Sequence, residues 1–199
     1  MLNDQEKVSK ALKFSDILIT VMVAIVFGLI YKFWGSVYGV VSPLFLKADQ
    51  LTYGMWFIAG PIAFLLIRKP GVALLAELAA SSVSALIGSE WGIQTFVYGI
   101  VQGLGCEIIF ALFLYRNYSL IVAGVAGLMS GVGSFVVDLA YGYANYELWM
   151  LVYKYGLRMI SSFVIAGVFA YLLVRALEKT GVTKLIRPVS KSEYASLND

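Results

Sequence analysis

The chain contains no histidine, and among its 199 residues it has one cysteine, four prolines and only 14% charged side chains. Each absence excludes something. Without histidine there is no His-ligated metal site, no His general base and no His pH switch. A single thiol, Cys106, cannot form an intrachain disulfide. Soluble domains carry about 25% charged residues, so this composition points away from water. A net charge of +3 is too small to mark a nucleic-acid surface. No Walker A, HExxH or cysteine cluster occurs. The run GVGSF at 131–135 lacks a closing glycine, and the chain has no histidine to activate its serine. The sequon NYS at 117–119 falls on a segment expected inside the cell.

What the chain has is apolar sequence, 60% of it, in six long segments. They run over 14–34, 53–67, 71–87, 92–115, 118–141 and 149–176. A helix needs about 20 apolar residues to cross a ~30 Å hydrocarbon core, so the second and third are short. The expected fold class is all-α: one polytopic membrane domain of six transmembrane helices over 1–199, seated in the lipid bilayer. Segment 14–34 is too long for a signal-peptide core and is expected to be the first span. Orientation follows from the basic residues. With the N-terminus in the cytoplasm, Lys7, Lys10, Lys13, Arg68, Lys69, Arg116, Arg175, Lys179, Lys184, Arg187 and Lys191 lie inside, 11 of 15. Lys32, Lys47, Lys154 and Arg158 fall toward the other side. The positive-inside rule then places both termini in the cytoplasm.

The inner connections are minimal. The first outer one, about 35–52, is long and apolar, and is expected to fold back over the bundle. Pro61 beside Gly60 is expected to kink the second span. All four tryptophans, Trp34, Trp56, Trp91 and Trp149, fall in outer halves or outer loops. An interfacial belt would appear at both faces; the asymmetry favours an aromatic-lined outer cavity.

Ionisable side chains inside a span cost ~2.5–3.5 kcal/mol at mid-helix on insertion scales and usually face the bundle or a cavity. Here they are Glu77, Glu107, Asp138, Lys154 and Arg158. Glu77 shares an inward face with Ala73, Ala80, Ser81 and Ser84. Gln94, Tyr98, Gln102 and Gly105 form a polar stripe running inward from the outer mouth, at 100° per residue. Glu107 points away from that stripe and is assigned a structural or partner role. Lys154 and Arg158, one turn apart, are read as a buried ion cluster with Asp138 that fixes two helices; Asp138 is equally a ligand contact. Asp49, Glu90, Asn145 and Glu147 add acceptors at the same mouth. Glu90, between Gly88 and Gly92 and beside Trp91, suits a carboxylate held against an aromatic wall, a setting for a cationic or amino-heteroaromatic ligand. The candidate ligand-binding set is Glu90, Trp91, Gln94, Glu77, Tyr98, Asp138, Tyr141, Asn145, Tyr146, Trp34 and Asp49.

Small residues recur at four-residue spacing, notably Thr20, Ala24 and Gly28 in the first span, and allow close helix approach. Packing within the bundle explains most such stripes. A chain of this size with six spans, inside ends, a long first outer loop and this stripe resembles the substrate-binding S components of energy-coupling-factor (ECF) vitamin transporters, a class of ABC importers. The resemblance covers about residues 10–180. In that family the first span carries an Ala-x-x-x-Ala-like face that docks on a transmembrane coupling subunit; Thr20, Ala24 and Gly28 match it by position, with Thr and Gly substituted. The run FLIRKPGVALLAELAASSVSALIGSEWG resembles the thiamin/hydroxymethylpyrimidine branch. The resemblance implies a bacterial cytoplasmic-membrane protein that captures a vitamin under the first outer loop. It also implies partners: a coupling subunit and two ABC ATPases, which supply the ATP hydrolysis this non-enzymatic chain lacks. Cobalt and nickel members need an N-terminal histidine, absent here, so no metal and no cofactor is expected. Thiamin suits the site on its own chemistry, since a thiazolium cation wants aromatic faces and carboxylates. The alternative class is a membrane-embedded enzyme or an assembly scaffold with no transport role. An enzyme would need a convergent acid–base set, for which only Glu77 with Asp138 is available.

Overall fold

The computed structural model describes residues 11–181; Lys7, Lys10, Lys184, Arg187 and Lys191 lie outside them. Helices are the only regular elements among the described residues. That follows from the solvent, because backbone groups in hydrocarbon must be satisfied within their own segment. The order is α1 (Phe14–Val41), a 3-10 helix (Ala48–Phe57), α2 (Ala59–Ile67), α3 (Val72–Leu86), α4 (Gln94–Leu112), α5 (Leu120–Ala140), α6 (Leu148–Ser161), a π-helical stretch (Ser162–Phe169) and α7 (Ala170–Lys179). Five runs are long and apolar enough to cross a membrane: Phe14–Val41, Ala48–Ile67, Gln94–Leu112, Leu120–Ala140 and Leu148–Lys179. Val72–Leu86 completes the six as a 15-residue helix, about 22 Å long.

The first crossing is longer than 14–34, and this corrects the outer-loop expectation. Val37, Val40 and Val41 continue the helix instead of forming a loop. The connection is only 42–47, with Leu44, Phe45 and Leu46 exposed. From Ala48 the chain turns back inward, burying Ala48, Asp49 and Gln50. Among the described residues no long apolar loop covers the bundle. Pro61 also behaves differently. The winding changes from 3-10 to α at Ile58, and Pro61 sits in the first turn of α2. Its missing N–H breaks no helical bond there.

Every residue of α2 is buried, which makes it the centre of the bundle. Phe64 stacks on Phe110 of α4 at 3.7 Å between centroids. Glu107 has the structural role that its helical face indicated. Its carboxylate accepts from the backbone N–H groups of Gly71 (2.6 Å), Ala73 (3.0 Å) and Leu74 (3.2 Å). These are donors of the first turn of α3, so an anion also meets the positive end of the helix dipole. At the same end Asp16 caps α1 through Lys13 N–H (2.7 Å) and pairs with Lys69 (2.6 Å).

The stripe Thr20, Ala24 and Gly28 is not an exposed docking face. All three are buried, and they lie on the side of α1 that meets α3. A Cβ on Gly28 would stand 2.6 Å from Val83 Cβ and 2.8 Å from the Ala80 carbonyl. The exposed side of α1 carries Leu18, Val21, Met22, Ile25 and Leu29 instead. Small side chains here serve helix contact within the chain. Gly28→Leu should therefore lower the thermal midpoint of the detergent-solubilised protein, by overpacking worth about 1–3 kcal/mol. An unchanged midpoint with selective loss of partner binding would restore the docking role.

Candidate functional site

One end of the bundle carries the connections 42–47, 87–93 and 141–147, and here the structure opens a cavity of about 540 Å³. That volume lies in the range of small-molecule sites. It forms because the 3-10 helix re-enters beside α1 and because α3, α4, α5 and α6 have their ends at the turns around it. Its lining divides into two walls.

The first wall is aromatic. Tyr38 from α1, Tyr53 and Trp56 from the 3-10 helix and Trp91 from the α3–α4 turn pack in tilted and edge-to-face pairs. Tyr38 and Trp56 lie 4.8 Å apart, Trp56 and Trp91 4.9 Å, and Tyr53 and Trp56 5.2 Å. Tyr31 stands below them, and its carbonyl accepts from the Trp56 indole N–H at 3.0 Å. Tilted and T-shaped rings present faces and edges that suit a flat, electron-poor ring.

The second wall is a continuous polar chain. Gln50 Nε2 donates to Asp49 Oδ2 and to Tyr38 OH, each at 2.5 Å. Gln50 Oε1 accepts from Arg158 Nε at 2.8 Å. Arg158 Nη1 donates to Ser134 Oγ (3.0 Å) and pairs with Asp138 Oδ2 (3.1 Å). Asp138 also accepts from Tyr98 OH (2.5 Å) and Tyr155 OH (2.6 Å) and pairs with Lys154 (3.3 Å). The Arg158 guanidinium lies 3.7 Å above the centre of the Tyr53 ring and so joins the two walls. A buried ion cluster in a span is stable only when its members satisfy one another. This one does, and it also faces the cavity, so Lys154 and Arg158 fix two helices and line the cavity at once. Lys47 bridges the mouth: its ammonium lies 3.3 Å from the Tyr146 hydroxyl and 4.9 Å from the centre of that ring.

Of the sequence-derived candidates, the structure brings Trp91, Tyr98, Asp138, Asn145, Tyr146 and Asp49 to the cavity wall. Five others lie elsewhere. Glu90 is exposed and turns its carboxylate onto Gly35 of α1. Gln94 lies outside the lining and accepts from Tyr143 OH at 3.0 Å. Tyr141, outside the lining, stacks between Tyr98 and Tyr143. Trp34 ties α1 to the Thr52 carbonyl through its indole N–H, 3.0 Å. Glu77 is buried beneath the floor rather than in it, 1% exposed. Tyr38 and Tyr53 belong to the aromatic excess that the sequence shows at this end, but neither they nor Gln50 are in the candidate set: Gln50 and Tyr38 fall in 35–52, which reads as a loop, and helical phase alone does not turn Tyr53 toward a cavity. Among the described residues no group of three or more His, Cys, Asp or Glu is placed to hold a metal ion.

Comparison with known proteins adds the relatives. The family model for the permease component of ABC-type cobalt transport systems matches residues 15–133, more than half of the chain. A protein of Bacillus subtilis (strain 168) assigned as the HMP/thiamine permease protein YkoE is 39% identical over 118 residues. That match takes in 59% of this chain and 59% of the relative's length. A crystal structure of an S component of an ECF transporter superposes with a TM-score of 0.82 at 38% identity, covering 87% of this chain and 89% of the other.

Proposed function

We propose that this chain, which belongs to the family of permease components of ABC-type cobalt transport systems and is an S component of an ECF transporter in the bacterial plasma membrane, captures thiamin or its hydroxymethylpyrimidine precursor in the cavity between the aromatic and polar walls. The observation that carries this is the pairing of a four-ring aromatic wall with the Gln50–Arg158–Asp138 chain across one cavity. Planar heteroaromatic ligands need a ring face on one side and a donor–acceptor row on the other. The YkoE likeness supports the same ligand class for this site. Cobalt, the family's namesake cargo, is not favoured. The chain has no histidine, and its described carboxylates are not clustered for a metal.

The cavity end faces outward and both termini lie in the cytoplasm in this reading. Lys13, Arg68, Lys69, Arg116, Arg175 and Lys179 sit at the end opposite the cavity, where an inner leaflet attracts cations. A transmembrane coupling subunit and two ABC ATPases complete the importer. With the Thr20–Ala24–Gly28 stripe turned inward, the coupling subunit meets another surface of the chain.

The cheapest test is native mass spectrometry of protein purified from thiamin-replete cells. A bound mass matching thiamin or the pyrimidine is the expected result. A different retained small molecule would redirect the ligand, and a protein that stays empty with both compounds added would favour the scaffold alternative.

A further inference from the structure

Glu77 is the loudest anomaly in the bundle. It is 1% exposed in α3, and Oε1 is the only buried side-chain oxygen or nitrogen among the described residues with no hydrogen-bond partner. Leaving a buried carboxylate oxygen unpaired is costly, more so inside a membrane. What Glu77 does hold is Tyr31. Oε2 accepts from Tyr31 OH at 2.9 Å and from the Gly60 N–H at 3.1 Å. The same Tyr31 hydroxyl accepts from the Ala59 N–H at 2.9 Å. One carboxylate oxygen and one phenol thus tie α1, the start of α2 and α3 together. Tyr31 lines the cavity, and its own carbonyl holds Trp56. Trp56 in turn packs on Tyr38 and Trp91.

We infer that Glu77 is a positioning residue for the aromatic wall: it never touches the ligand, and acts through Tyr31 to fix Trp56 and hence the slot between Tyr38 and Trp91. The affinity arm of the test rests on the capture reading; the spectroscopic arm does not. Three variants are compared with wild type in detergent: Glu77→Gln, Glu77→Leu and Tyr31→Phe. Near-ultraviolet circular dichroism of the unliganded protein reads the fixed tryptophan pair, and calorimetry reads thiamin binding. Glu77→Gln keeps an acceptor for Tyr31 and should retain the near-ultraviolet band, with affinity within threefold of wild type. Glu77→Leu should keep its far-ultraviolet helix signal, lose most of the near-ultraviolet band and bind at least tenfold more weakly. Tyr31→Phe should do the same with Glu77 intact, and it decides the matter should Glu77→Leu fail to fold. A destabilising control lies elsewhere: a Cβ at Gly105 would stand 2.5 Å from the Met129 carbonyl. Gly105→Ala should lower the thermal midpoint without changing the band. The inference is overturned by a wild-type band in Tyr31→Phe, or by an equal loss of it in Gly105→Ala. Absence of thiamin binding to wild type would sink the ligand assignment, with the spectroscopic arm still deciding the role of Glu77.

Discussion

Arg158→Met should weaken thiamin binding at least a hundredfold, about 2.8 kcal/mol, and lower the thermal midpoint as well. Methionine replaces most of the apolar volume, but it removes the cation over the Tyr53 ring and three polar connections at once. Gln50 Oε1 and Ser134 Oγ lose their donor, and Asp138 loses one of two cationic partners inside the bundle. Breaking a buried ion pair from one side typically costs about 3–5 kcal/mol, because the other charge stays behind. The conservative variant Arg158→Lys separates the two effects. It keeps a cation beside Asp138 and should regain much of the lost midpoint, yet binding should stay weak because an ammonium cannot replace the planar fork that reaches Gln50, Ser134 and Asp138 together. Recovery of both would mean that the charge of Arg158 suffices without the fork. Wild-type affinity in the single variant would remove the polar chain from the binding site.

The second large effect concerns a residue without a side chain. Gly127 of α5 faces the π-helical stretch, and a Cβ there would be driven into the Ser162 carbonyl oxygen and to 2.9 Å from Gly167 N. Both neighbours are backbone and cannot rotate away, so the helices must separate. Gly124 and Gly131 continue the same face against Phe163 and Ser162. In a membrane such contact supplies much of the association energy, because lipid gives no hydrophobic drive between helices. Gly127→Ala should cost about 1–3 kcal/mol, and Gly127→Leu should yield no folded protein by size exclusion. Binding should fall with stability, since α5 carries Asp138 and α6 carries Arg158. Gly156→Ala is the matched control. It lies within α6 with nothing near its added methyl, and should be neutral or stabilising by about 0.5–1 kcal/mol. Equal behaviour of the two variants would contradict the close approach.

How far the sequence could be read depended on what its patterns encode. The long apolar segments and the family resemblance led to the all-helical, multi-pass S-component architecture, because hydrocarbon leaves the backbone few options. Helical phase served equally well for Glu107, placed away from the polar stripe and found capping α3. It also placed Tyr98 and Gln102 on the face that became the cavity wall. Phase could not say how far a stripe reaches, and Gln94, one turn nearer the mouth, lies beyond it. Small-residue spacing could not distinguish contact within the chain from contact with a partner, so Thr20, Ala24 and Gly28 were misassigned to docking. Glu90 was misplaced because a short turn between two glycines fixes no side-chain direction. Gln50 and Tyr38 stay outside the candidate set for a topological reason: an apolar stretch with two glycines reads as a loop, and only tertiary packing shows α1 running to Val41 and a 3-10 helix dropping back into the bundle.

Capture of a vitamin by this chain requires that the two-walled cavity be the ligand site. Isothermal titration of thiamin, and separately of hydroxymethylpyrimidine, into the purified wild-type protein and Trp56→Ala measures this directly. The predicted result is one-to-one binding of at least one of the two compounds by wild type, with Kd below about 1 μM, some −8.2 kcal/mol, and a loss of at least tenfold in Trp56→Ala. Wild-type affinity in a folded Trp56→Ala protein, or no binding of either compound by wild type at millimolar concentration, would contradict it.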